Sequence, residues 1–135
     1  MEYLSKYGPF SLIPMYRPRP VQGEFQLRHE EAAGARVIAL AGDADRFRTD
    51  EVSAAIAAAR KDGVDILIDV SDVAVIDPAM LALFVSASEV AARHGESLVI
   101  VTGGPRFRRT LQIKGLESLL QVADSRDEAF ASLRR

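Results

Sequence analysis

The sequence predicts an α/β domain, a mixed β-sheet with a parallel centre covered by about four helices. Three observations lead there. Two nearly continuous apolar runs, Ile66-Leu67-Ile68-Asp69-Val70 and Leu98-Val99-Ile100-Val101, have the length and β-branched content of strands covered on both faces, as parallel strands are. Each is followed by a helical pattern opening at a proline, Pro78 and Pro105, so strands and helices alternate and the connections are crossovers. Ahead of them, two alternating runs flank Ala33-Gly34 so closely that only an antiparallel hairpin can join them.

Residues 1–23 stand apart as a proline-rich extension, with residues 24–135 forming the domain. The extension mixes Pro9, Pro14, Pro18 and Pro20 with Tyr3, Leu4, Tyr7, Phe10, Leu12, Ile13, Met15 and Tyr16. Its prolines forbid regular ladders while its apolar side chains favour burial. Four outcomes stay open: a mobile tail, packing on the domain, docking on a second copy as a homodimer contact, or ordering on a partner.

From Phe25 the pattern becomes regular. Phe25, Leu27 and His29 alternate as a first strand and Arg36 to Ala41 as a second, and Gly42 to Phe47 reads as a loop. Thr49 or Asp50 is expected to cap a helix whose apolar Val52, Ile56 and Ala59 recur at helical spacing until Asp62-Gly63 stops it. The strand at Asp65 to Val70 leads through a short loop to Asp77, which has the chemistry of an N-cap, with Pro78 as first helical residue. That helix ends near His94-Gly95. The run from Ser97 to Thr102 ends at Gly103-Gly104-Pro105, where a third helix runs to Ile113 and closes at Gly115. A short strand near Leu119 to Val122 and a last helix from Ser125 to Leu133 complete the chain.

Composition narrows the function classes. With 135 residues one domain is expected, and the net charge of −2 argues against a general nucleic-acid binder. The chain has no cysteine, which excludes disulfides, thiolate metal sites and thiol catalysis, and its two histidines leave little imidazole chemistry. No apolar run approaches the roughly 20 residues needed to span a bilayer, so no direct membrane insertion and a cytoplasmic location are the default expectations.

Three segments, Val37 to Asp45, Ile66 to Asp77 and Arg109 to Leu116, together resemble the STAS domain family over nearly the whole chain from Glu24 to Leu133. That family includes bacterial anti-sigma factor antagonists, stressosome scaffolds and the cytoplasmic tails of sulfate transporters. The resemblance implies a STAS-like fold and a non-enzymatic binding module of the antagonist type, acting in transcription regulation. Its partner would be a kinase-fold anti-sigma factor, a serine kinase-like protein, docking around Asp45, Asp77, Pro78, Ala79, Met80 and Leu81. The family signature Asp-Ser-Ser-Gly-Leu reads Asp77-Pro78-Ala79-Met80-Leu81 here, so Ala79 stands at the phosphoserine position with no hydroxyl to modify. A phosphate there would bring about two negative charges to the helix opening, and without it the usual off-switch is missing. Two alternatives accompany this reading, a STAS-like small subunit of a membrane transport complex of the lipid-transport ATPase type, and a nucleotide- or anion-sensing module.

Three side-chain groupings invite chemistry of their own. Asp43, Asp45 and Asp77 form a potential carboxylate cluster, but capping and turn roles account for them better than catalysis, and neither a metal nor a cofactor is expected. Gly103, Gly104, Arg106 and Arg109 at a strand-to-helix turn suggest an anion site, although the spacing matches no nucleotide fingerprint and arginines on a helix are ordinary solvated surface. Met80, Leu81, Leu83, Phe84 and Val85 make the second helix apolar nearly all round, which predicts either an exposed contact patch or a helix covered on two sides.

Overall fold

The computed structural model describes residues 24–133. The extension at residues 1–23, and with it each of the four outcomes open for it, the homodimer contact included, lies outside the described residues. Five strands form one sheet: β1 (Gln26–Ala32), β2 (Ala35–Ala44), β3 (Asp65–Ile76), β4 (Leu98–Val101) and β5 (Gln121–Ala123), in that spatial order. β1 runs antiparallel to β2 and every later pairing is parallel, the predicted mixed sheet with a parallel centre. Among the described residues the helices are α1 (Thr49–Lys61), α2 (Pro78–Arg93), α3 (Pro105–Ile113) and α4 (Arg126–Leu133), with a 3-10 turn at Arg46–Arg48.

The strand order explains the layering. When consecutive parallel strands are laid down in one direction and each crossover is right-handed, all crossover helices fall on the same face. The core on that face joins Ile38, Leu40, Ile66, Ile68 and Ile100 to the buried stripes of α1 and α2 and to Leu111 of α3. Residues one position away point to the other face, where Val37, Leu67, Val99 and Val101 meet Ala129 of α4. Asymmetric cover of this kind makes α4 the sole helix on its side of the sheet among the described residues.

Local chemistry sets each boundary. The hairpin turns on Ala33 (φ 53°) and Gly34 (φ 79°), both in the left-handed region that a two-residue turn of the hairpin type demands. In α1 the buried residues Val52, Ala55, Ile56 and Ala59 repeat at i, i+3, i+4 and i+7, one stripe facing the sheet. α3 runs from Pro105 to Ile113, the bounds expected from sequence.

Two expected loops are strand instead. Gly42 to Ala44 continue β2, and Ser71 to Ile76 continue β3, paired through two register shifts that end at Asp43↔Val75 and Ala44↔Ile76. The bulges absorb the irregular pattern that reads as loop in sequence. Gly42 is needed there, because at φ 82° a Cβ would lie 1.4 Å from the Glu24 carbonyl oxygen. Nor do Thr49 or Asp50 cap α1. Asp45 Oδ1 accepts from the Phe47 amide at 3.0 Å and starts the 3-10 turn, while the Thr49 hydroxyl donates to the Arg46 carbonyl at 3.0 Å. Arg48 is the N-cap residue of α1 and makes no side-chain cap.

Candidate functional site

The parallel strands β2, β3 and β4 all end on one edge of the sheet, and each feeds a helix or turn there. In a parallel α/β sheet this carboxyl edge is where side chains from separate segments converge. At the centre, Asp77 Oδ1 accepts from the Ala79 amide at 2.8 Å and the Asp77 carbonyl accepts from the Met80 amide at 2.9 Å, so the aspartate caps α2 with Pro78 in its first turn. The Asp77 amide donates to the Ala44 carbonyl at 3.0 Å, tying the start of α2 to the end of β2. Asp45 follows directly after the end of β2 and caps the 3-10 turn, so the two capped turns lie side by side.

The six residues expected to face a partner divide into two sets. Pro78 and Ala79 are exposed, and Asp45 and Asp77 are half-buried at the same edge. Met80 and Leu81, by contrast, are 0% and 1% exposed within the core, so they anchor the helix opening and offer no surface to a partner. Of the two outcomes expected for α2, an exposed patch or a covered helix, the structure shows the covered helix. Phe84 is buried, Leu83 and Val85 pack against the same core, and the helix is apolar all round because its neighbours cover it.

Exposed apolar surface appears instead at Phe47, 77% exposed, and Val75, 47% exposed. The Arg46 guanidinium lies over the Phe47 ring at 5.0 Å, and the turn carrying both packs beside α2. Sequence reasoning passed over Phe47 as a loop residue. Its signal was a large aromatic side chain between two arginines and outside any helical stripe.

The carboxylates Asp43, Asp45 and Asp77 do not act as one cluster. Asp45 and Asp77 each serve as the cap of a separate element, and among the described residues no group of three or more acidic or histidine side chains is arranged to hold a metal ion. Asp43 Oδ1 is buried with no hydrogen-bond donor among those residues.

The glycine-arginine turn also separates into parts. Gly103 has φ 72°, and a Cβ on it would lie 2.2 Å from Ser71 Cβ, so glycine here lets the turn press against β3. Gly103, Gly104 and Arg106 line a groove of about 470 Å³ between α3 and the end of β3, whereas Arg109 is exposed elsewhere on the helix. Arg106 reaches the Ala74 carbonyl at 3.4 Å, and Arg108 pairs with Asp124 at 3.0 Å. Three of the four expected anion-binding positions thus share this groove, and Arg109 lies outside it.

On the opposite face, Asp69 at the end of the β3–β4 pairing receives the Ser71 hydroxyl at 2.6 Å, the Ser71 amide at 2.9 Å and Arg126 Nε at 2.7 Å. Burial alone would raise its pKa, but the Ser71 donors and the Arg126 guanidinium prevail and hold it below the usual aspartate range. Arg126 also donates to Glu30 at 2.8 Å and lowers that carboxyl too.

Comparison with known proteins agrees with this geometry. A family model described as the Mlab STAS domain matches residues 27–121. An anti-sigma factor antagonist from Mycobacterium paratuberculosis superposes with TM-score 0.76 at 22% identity, over 85% of this chain and 98% of the other. SpoIIAA of Bacillus, an anti-sigma factor antagonist solved in unphosphorylated and phosphorylated forms, gives TM-score 0.62 for the former at 19% identity, covering 82% and 98%. The murine anion transporter Slc26a9 contains the same fold, with TM-score 0.62 at 16% identity over 78% of this chain and 18% of the transporter. No curated protein sequence matches the chain.

Proposed function

Because the chain belongs to the STAS domain family, we propose that it is a non-enzymatic binding module of the anti-sigma factor antagonist type. Residues 24–135 form the binding domain and residues 1–23 an appended segment. The partner is a kinase-fold anti-sigma factor, it docks on the exposed part of the helix opening, and release of a sigma factor is the output in transcription. The observation that carries this reading is the juxtaposition at the sheet edge. Pro78 and Ala79 are exposed in the first turn of α2, and an exposed aromatic, Phe47, stands on the turn packed beside that helix. Exposed aromatics next to rigid backbone are the usual anchors of protein interfaces. With alanine at position 79, this surface is not switched by phosphorylation at the usual place, and the module is constitutively competent or controlled by other means.

A second reading draws on the Mlab description of the matching family model and on the occurrence of the fold within an anion transporter. In it the chain is a STAS subunit of a membrane transport complex. Among the described residues no helix is long and apolar enough to cross a membrane, so such a role would be played beside the bilayer.

Co-purification of the tagged full chain from its host, with partners identified by mass spectrometry, tests both. Recovery of a kinase-fold protein together with loss of that capture in a Phe47→Ser chain supports the first reading. Recovery of transporter subunits in its place overturns it in favour of the second.

A further inference from the structure

We propose that the free edge of β3 from Ser71 to Ile76 is a docking site distinct from the opening of α2, and that it takes an extended, acidic segment of a partner protein as an added strand beside α3. The edge arises from unequal strand lengths. β3 runs for 12 residues and β4 for four, and their pairing stops at Asp69↔Val101. β2 follows β3 to its end at Ala44↔Ile76, but on the other side no strand continues among the described residues. Gly103 and Gly104 turn the chain out of β4 and into α3 at the point where Gly103 presses on Ser71, so β4 cannot run on alongside. What remains is an unpaired stretch of about 20 Å on a central strand. An open edge of that length is a template for pairing with another chain.

α3 does not close the gap. Between it and the edge lies the groove of about 470 Å³, inside the range of roughly 300–1,000 Å³ that recognition pockets span. Val73, Ile76 and Phe107 line it and pack on the core, while Val75, 47% exposed, offers apolar surface for an incoming chain to cover. Backbone is within reach as well. The Ala74 carbonyl is turned towards α3 and accepts from Arg106 at 3.4 Å, a long contact that a better donor displaces. In strand addition such main-chain groups supply affinity, and the side chains beside them supply selectivity. The polar side chains identify the occupant's chemistry. Ser71 donates to Asp69 at 2.6 Å and Thr110 to the Arg106 carbonyl at 3.2 Å, so both hydroxyls are engaged. Arg106 is the one charged residue lining the groove among the described residues, and where its neighbour Arg108 has Asp124, it has no carboxylate among them. An Asp or Glu on the added segment fills that place with a charge-assisted bond, while the segment's own amides take over the Ala74 carbonyl. The site does not depend on the partner proposed for the opening of α2.

The test pans a phage-displayed library of random peptides on the full chain and repeats the binding with the enriched peptide made synthetically. The expected sequence alternates apolar residues and carries an Asp or Glu. On saturation with it, amide hydrogen exchange across residues 71–76, read by NMR, is expected to slow at least about tenfold. Arg106→Glu is expected to weaken binding at least about tenfold, and a peptide with Lys in place of the acid to recover it on that chain. Arg109→Glu makes the same charge change outside the groove and should leave binding unchanged, with melting curves showing that both chains fold. A library that enriches no acidic sequence overturns the proposal, as does binding lost equally in the two arginine variants. Loss with Phe47→Ser but not with Arg106→Glu would move the peptide to the opening of α2 and overturn it too. Exchange at residues 71–76 that slows with protein concentration, without peptide, would assign the edge to a second copy. Displacement of the peptide by inorganic phosphate, but not by chloride at equal ionic strength, would assign the groove to a small anion. Either of these outcomes also overturns the proposal.

Discussion

Arg126 and Asp69 are 57 positions apart in the chain and meet at 2.7 Å, joining α4, on the second face, to the central strand. The same guanidinium reaches Glu30 on the edge strand at 2.8 Å, so a single side chain fastens α4, β1 and β3 together. α4 buries little of its own, with Ala129 the one fully buried residue and Phe130 and Leu133 partly so. The arginine is therefore expected to matter more than a surface ion pair does. Arg126→Ala leaves the buried Asp69 carboxylate short of a donor and should cost about 2–3 kcal/mol, against the 1 kcal/mol or less of exposed pairs. Urea unfolding checks it, and a loss within error of zero would show that α4 is held by packing alone.

The pH dependence follows from the same contacts. Asp69 and Glu30 have folded-state values below their unfolded ones, so both contribute stability that is fully present above the unfolded values, about 4, and is lost as pH falls through the lowered ones. The denaturation midpoint should hold steady from neutrality to about pH 5 and decline below it, with a shallower decline in Arg126→Ala. Urea titrations at several acidic pH values measure the two slopes; parallel slopes would remove the arginine as the cause.

Gly103 separates a structural role from a ligand-binding one. Its φ of 72° and the 2.2 Å approach of a built Cβ to Ser71 mean that Gly103→Ala must distort the turn between β4 and α3. A loss of about 2 kcal/mol or more is expected, of which 1–2 comes from the left-handed backbone. Thermal unfolding reads it directly, and an alanine chain as stable as the parent would return Gly103 to the list of candidate ligand-binding positions.

The hairpin offers a gain. Ala33 holds φ 53° with a Cβ that disfavours it, next to Gly34 in the position a two-residue turn reserves for glycine. Asparagine tolerates the left-handed region and precedes glycine in the most favoured turns of this kind, so Ala33→Asn should stabilise the chain by about 0.5–1 kcal/mol. A rise of several degrees in Tm with unchanged circular dichroism is the expected result, and a fall would mean that the turn is of another type.

These residues also mark what the sequence discloses. The buried runs at Ile66 and Leu98, the stripe of α1 and the Asp77 and Pro105 openings were legible because each depends on local chemistry, an apolar run, a periodicity or a cap. The second half of β3 was not, because Ser71, Asp72, Ala74 and Val75 are exposed and the strand pairs through bulges that only the partner strand dictates. The direction of Met80 and Leu81 was hidden for a related reason. An apolar first turn looks alike whether a helix shows that face to a partner or sinks it between a sheet and a neighbouring helix, and α1 decides the matter from 30 residues away. Phe47 escaped notice because exposure is a property of the assembled edge.

Ala79 gives the sharpest test of the site. Its side chain is exposed and its amide is already bonded to Asp77, so Ala79→Ser and Ala79→Glu should both fold, with stability within about 0.5 kcal/mol of the parent. For the glutamate, attraction to the amino end of α2, worth about 0.3–1 kcal/mol, opposes repulsion from Asp77, and the two nearly cancel. Binding should behave differently, because a negative charge in the middle of the proposed docking face would have to be desolvated on binding. Ala79→Glu is expected to weaken capture of the proposed anti-sigma factor at least tenfold, about 1.4 kcal/mol, while Ala79→Ser leaves it nearly unchanged until a kinase modifies the new hydroxyl. Calorimetry on the three chains, beside their melting curves, separates a binding effect from a folding one. A glutamate chain that binds as well as the parent would move the docking face away from the opening of α2.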